Sequence, residues 1–213
     1  MREKHSDTQL VAVTYLTFVA IILAWIAAWY LKIYLDRSVA WTATSGGSFG
    51  YWTAAKLVLW ILPALRLVRL SGRSLVEVCR LSNWRAGLYW GGGLGLLLGL
   101  MGVVSNYWQG EPILPTQFSW QLVSVLMVAP TLEEFLMRGA VLGNLQTRYS
   151  FATANIISSV MFVILHIPGW LFMGTPLTGA VPIFLVSLVF GYATHRSHSI
   201  VGGIIAHFLN NLF

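Results

Sequence analysis

The sequence predicts an all-α, polytopic membrane bundle of about seven transmembrane helices, and three observations carry that expectation. Hydrophobic residues make up 57% of the chain and charged residues 9%, against about 25% charged in soluble domains. Mean hydropathy is +0.72, more apolar than an ordinary water-soluble domain. Apolar stretches near the roughly 20 residues needed to cross a bilayer recur along the whole chain. The length suits a single integral membrane domain, 1–213, rather than two domains.

The first stretch, 10–31, follows the polar start MREKHSDTQL and exceeds the roughly 7–15 residues of a signal-peptide core, so it reads as an uncleaved span. The second is 52–70. The third, 87–106, contains GGGLGLLLGL, in which Gly91, Gly95 and Gly99 recur every fourth residue. That spacing leaves a bare strip on one face for close helix packing. The fourth, 118–146, is long and carries Pro130, where a kink or break is expected. The fifth is 152–172. The last two, 180–195 and 199–213, are short, and the chain closes at Phe213 just after Asn211, so packing alone is expected to hold the final helix. Internal repeats, disordered linkers and phosphate-binding Gly loops are absent from the sequence.

Charge sets the expected orientation. The net charge is +6, but Arg66, Arg69, Arg73, Arg80 and Arg85 gather in one segment beside a hydrophobic span. That pattern fits topology and anionic lipid headgroups rather than nucleic acid. The basic loop 71–86 is therefore expected on the cytoplasmic side, together with Arg2 and Lys4, Arg148, Arg196 and the pair His195 and His198. The Gly/Ser-rich segment 42–50 and the segment 107–117 are expected outside. Lys32 and Arg37, at the outer end of the first span, run against this pattern. The protein is thus expected in the plasma membrane, multi-pass, with a cytoplasmic N-terminus and membrane lipids as its surroundings. Its one cysteine, Cys79, offers neither an intrachain disulfide nor a thiolate cluster.

Three stretches place polar groups where the chain should carry leucine. In APTLEEFLMRGA, Glu133, Glu134 and Arg138 fall inside the fourth span, where a central charge costs roughly 2.5–3.5 kcal/mol. Arg138 follows Glu134 by four and can pair with it on one helix face. Thr131 and Glu134 also have the spacing of a capping box that would restart a helix broken at Pro130. Glu133, turned about 100° from Glu134, has neither partner and is the functional candidate. In VMFVILHIPGW, Phe162 and His166 share a face, and Pro168 is expected to break the helix. In IIAHFLNNLF, His207 and Asn211 share a face. Each group would be costly against lipid, so all three spans are expected to face one shared, partly wet cavity. A carboxylate that can take a proton from water, an imidazole beside it, and amide and imidazole donors for an oxyanion suit hydrolysis of a peptide bond by activated water. No serine or cysteine paired with a base is at hand for covalent catalysis.

EEFLMR, FVILH and HFLNN, in that order on successive spans, resemble the EExxxR, FxxxH and HxxxN signatures of the intramembrane glutamic endopeptidases of the CAAX-protease and bacteriocin-processing group, also known as the CPBP or Abi family. The resemblance covers the C-terminal half, making 118–213 the catalytic-motif core. It implies that Glu133 activates water with help from His166, and that His207 and Asn211 stabilise the oxyanion. Glu134, Arg138 and Phe162 would support the site. It also implies a cavity opening toward the cytoplasm, and a peptide or lipidated-peptide substrate of the CAAX or leader-peptide kind. No cofactor is expected.

Three rivals stand beside this expectation. Glu133, His166 and His207 could ligate zinc and leave a position open for water, although no HExxH is present. A non-catalytic immunity or scaffold protein could use the same polar cluster to bind a partner helix. A proton-coupled transporter would be expected to show two related halves, which the sequence lacks. The ten tryptophans are expected to anchor helices at the membrane interface.

Overall fold

The computed structural model describes residues 6–213, so Arg2 and Lys4 lie outside the described residues. Every regular element among them is helical. Helix α1 is Asp7–Ser38, and α2 runs over 45–70 with a wider π turn at Leu57–Ile61. Helix α3 is Trp84–Gln109. Helix α4 covers 120–145 and contains two π segments, Ser124–Val128 and Phe135–Leu142. Helices α5, Phe151–Met173, α6, Ala180–Ser197, and α7, Ile200–Leu212, complete the bundle. Four segments are long and apolar enough to cross a membrane: Asp7–Ser38, Leu75–Gln109, Phe151–Met173 and Leu177–Ser197. Ile200–Leu212 is a shorter apolar helix.

Two expected helix breaks do not occur. At Pro130 the helix continues, because the preceding turn is wide: the N–H of Ala129 bonds to the carbonyl of Ser124, five residues back. In that register the missing N–H of Pro130 leaves the Val125 carbonyl without its helical partner. Asn211 of α7 donates to that carbonyl instead, at 3.0 Å. The expected capping box is absent, and Thr131 makes no cap. Helix α5 likewise continues through Pro168 to Met173. At Pro130 a side-chain donor from α7 thus re-satisfies the carbonyl that proline frees.

The glycine strip packs α3 onto α7. A Cβ on Gly91 would strike the Gly202 carbonyl, and one on Gly95 would come within 2.9 Å of Ala206 Cα and Leu209 Cβ. One on Gly99 would lie 2.5 Å from the Phe213 ring. Gly92 and Gly93 face open space. Gly95→Leu is therefore expected to separate α3 from α7 and lower the thermal midpoint in detergent, whereas Gly93→Ala leaves it unchanged or raises it by removing a flexible residue. Equal midpoints for the two variants would show that the strip is not a packing surface.

The loops sort to two ends of the bundle. At one end Arg73 bonds Asn144 at 2.6 Å, Arg148 bonds Thr8 at 2.8 Å, and Ser199 bonds the Cys79 carbonyl at 3.2 Å. At the other, Trp120 packs on Phe49 and meets Phe118 edge-on, and Asn106 bonds the Phe213 carbonyl at 2.8 Å. Lys32, which ran against the charge pattern, is buried there beside Asp36 and the Thr42 carbonyl.

The expectation that tryptophans sit at the interface is corrected for four of them. Trp25 and Trp60 are 5% and 3% exposed, and Trp25 packs on Trp52 and Trp60 with ring centroids 5.1 and 4.5 Å apart. Trp29 packs on Trp52 at 4.4 Å. These rings pack together between α1 and α2.

Candidate active site

Glu133, Glu134 and Arg138 project from the middle of α4, which threads the centre of the bundle. All three are buried, Glu134 completely. Arg138 Nε lies 3.1 Å from Glu134 Oε2, and Nη1 lies 3.2 Å from Oε1. Its other arm donates to the carbonyl and hydroxyl of Ser187 on α6, at 2.5 and 2.8 Å. This is the pairing the i, i+4 spacing predicts, with an anchor on a second helix that local spacing could not reveal.

Glu134 also reaches α7: its Oε1 lies 3.0 Å from His207 Nδ1. The approach depends on Gly203, one turn before His207, where a Cβ would sit 2.7 Å from Glu134 Oε2. A carboxylate held by arginine accepts, so Nδ1 carries the hydrogen and Nε2 points onward with its lone pair. Nε2 stands 4.0 Å from Glu133 Oε2, beyond hydrogen-bond length. Phe190 stacks on the imidazole at 4.5 Å. Phe162 is the shared wall: its ring meets His166 edge-on at 4.7 Å, His207 at 5.9 Å and the Arg138 guanidinium at 5.0 Å.

Glu133 is not unpaired. Lys56 of α2 places its ammonium 2.9 Å from Glu133 Oε1 and 4.8 Å from the centroid of the Trp60 ring. The expectation failed because a search for partners along one helix misses a lysine brought in from 77 residues away. The signal was present: Lys56 interrupts the second apolar stretch as Glu133 interrupts the fourth, and a charge inside a span is costly wherever it lies.

His166 on α5 directs Nδ1 to the Phe162 carbonyl at 2.8 Å. A carbonyl only accepts, so Nδ1 carries the hydrogen, and in the neutral ring Nε2 is an acceptor. Asn211 has one amide hydrogen on the Val125 carbonyl, and its oxygen accepts from Asn210 at 3.2 Å.

One cavity of about 450 Å³ joins these groups, lined by Lys56, Glu133, Phe162, His166, His207 and Asn211 among others. Its wall runs from Gln121 to Glu133 on α4, from Phe162 to Met173 on α5, from Ile183 to Phe190 on α6 and from His207 to Asn211 on α7. Trp25 and Trp29 of α1 and Trp52 of α2 close it. The structure therefore brings every expected catalytic residue to one space. Glu134 and Arg138 lie outside the lining and hold His207 from behind. Among the described residues no group of three His, Cys, Asp or Glu is arranged to hold a metal ion.

Residues 115–213 match the family model described as Rce1-like, type II CAAX prenyl endopeptidase Rce1-like. Residues 115–213 are thus similar to that family. No curated protein and no solved structure matches the chain. The family so described is one of CAAX-type endopeptidases, and the similarity to it is confined to residues 115–213. The Rce1-like segment contains Glu133, Glu134, Arg138, Phe162, His166, His207 and Asn211; Lys56 and the tryptophan wall come from the half it does not cover.

Proposed function

We propose that this protein is an intramembrane glutamic endopeptidase in which Glu133 activates the attacking water. The observation that carries the reading is the convergence of Glu133, His166 and His207 on one buried cavity. Lys56 holds Oε1 of Glu133, which leaves Oε2 to act as base. A water between Glu133 Oε2 and His166 Nε2 would give a proton to Glu133 as its oxygen attacks the scissile carbonyl carbon. The oxyanion that forms would take hydrogen bonds from the free amide hydrogen of Asn211 and from His207 Nε2–H. That second donor exists only when His207 is doubly protonated, because Nδ1–H is already committed to Glu134. Collapse of the intermediate breaks the C–N bond, and the proton on Glu133 passes to the leaving amine.

Glu133 and Glu134 flank His207 on opposite sides, with Glu134 Oε1 3.0 Å from Nδ1 and Glu133 Oε2 4.0 Å from Nε2. Glu134 with Arg138 is thus a positioning pair that sets the ring's orientation. His207→Gln is expected to lower kcat more than it raises KM, since it removes a donor used mainly in the transition state. A rise in KM alone would show that His207 binds substrate instead.

The direct test is incubation of the purified protein with a mixed peptide library, with and without chelator, read by mass spectrometry. Cleavage that survives chelation supports water activated by a carboxylate. Cleavage lost in chelator would reassign Glu133 and the histidines as metal ligands, and no cleavage under either condition would favour a scaffold or immunity role. The plasma membrane as location and 118–213 as the catalytic core belong to the same proposal.

A further inference from the structure

Two expectations drawn from the sequence, a cytoplasmic arginine end and a cavity open to the cytoplasm, conflict once the helices are packed. Helices alternate in direction, so the N-terminal end of α1, the segments 71–83 and 146–150, and the turn between α6 and α7 share one end of the bundle. Arg66, Arg69, Arg73, Arg80, Arg85, Arg148 and Arg196 lie at or near that end; among the described residues the other basic side chains are Arg37 and the carboxylate-paired Lys32, Lys56 and Arg138. The connecting segments are short, the range in which basic residues decide orientation.

The cavity lies in the other half. Its lining falls in the second half of α1, α5 and α7 and in the first half of α2 and α4. On every one of these helices that is the half farther from the arginines. Gln121, in the first turn of α4, and Met173, in the last turn of α5, carry its lining to that end of the bundle. Toward the arginines it is stopped by Glu134, Leu136, Met137, Arg138 and Ala140, each at most 3% exposed. The lining carries one full positive and one full negative side chain, Lys56 and Glu133, which are paired with each other.

We propose that the site takes its substrate from the membrane face opposite the arginine-bearing loops: an uncharged, apolar or aromatic peptide segment on the extracytoplasmic side. The peptide chemistry rests on the function proposed above; the sidedness rests on charge and geometry alone. A substrate confined to the cytosol could not reach Glu133 without passing the layer formed by Arg138 and its neighbours. The absence of free charge in the wall selects against acidic and basic residues next to the scissile bond, because each would be desolvated without a partner.

The test separates sidedness from chemistry. In a Cys79→Ser background, Thr116→Cys reports the cavity side and Ser82→Cys the arginine side; both positions are exposed and outside the site. A membrane-impermeant maleimide applied to intact cells is expected to label Thr116→Cys, and to label Ser82→Cys only after permeabilisation. The reverse pattern would overturn the proposal whatever the enzyme's activity. Right-side-out membrane vesicles of the unsubstituted protein are then expected to cut an added uncharged library peptide that inverted vesicles spare. Cleavage in inverted vesicles alone would overturn the substrate assignment. With the expected labelling, an absence of cleavage in both would sink the hydrolase reading and with it the substrate.

Discussion

Glu133→Gln is expected to abolish peptide cleavage, with a loss of about 10²–10⁴-fold for removal of a general base, and also to destabilise the fold. The second effect follows from Lys56. In the Glu133–Lys56 pair Glu133 is buried and Lys56 nearly so, at 7% and 12% side-chain exposure. Removing one partner strands the other charge, which in buried pairs costs about 3–5 kcal/mol. A neutral glutamine is therefore a clean test of catalysis only beside a second variant. Lys56→Met combined with Glu133→Gln is expected to recover the thermal midpoint in detergent without recovering cleavage. Activity in that double variant would refute the role of Glu133 as base. A double variant no more stable than Glu133→Gln alone would show that the two charges are not coupled.

Arg138→Leu is expected to give the largest loss of stability of any single substitution in the site. Arg138 has 0% side-chain exposure, as has Glu134, and it also holds the Ser187 backbone and hydroxyl on α6. Its removal would leave the Glu134 carboxylate buried with only His207, again at a cost of about 3–5 kcal/mol, and would unfasten α6 from α4. The protein is expected to fall below the stability needed for recovery from the membrane in folded form, read as a shift from a monodisperse to an aggregated profile. Arg138→Lys keeps the charge but cannot span Glu134 and Ser187 together. It is expected to fold with reduced cleavage, because His207 loses a fixed partner. A fully stable Arg138→Leu would mean that the network does not brace the site.

What the sequence by itself determined is what local period and composition can carry. Apolar stretches marked the helices of the bundle, and the four-residue spacing of Gly91, Gly95 and Gly99 marked a close-packed face. The i, i+4 spacing of Glu134 and Arg138 marked their pairing. The cost of a charge in an apolar span singled out Glu133, His166 and His207 before any contact was known. What only the tertiary structure decided are relations between helices. Lys56 meets Glu133 from 77 positions away, Ser187 holds Arg138 across 49, and Asn211 restores the hydrogen bond that Pro130 denies Val125. The prolines show the same division. Pro130 and Pro168 predict breaks when each helix is considered alone, yet both helices continue, and at Pro130 a neighbouring helix supplies the donor that the backbone lacks. The end of the bundle on which the cavity sits follows the same logic: position along a helix is local, but a cavity exists only where several helices leave space together.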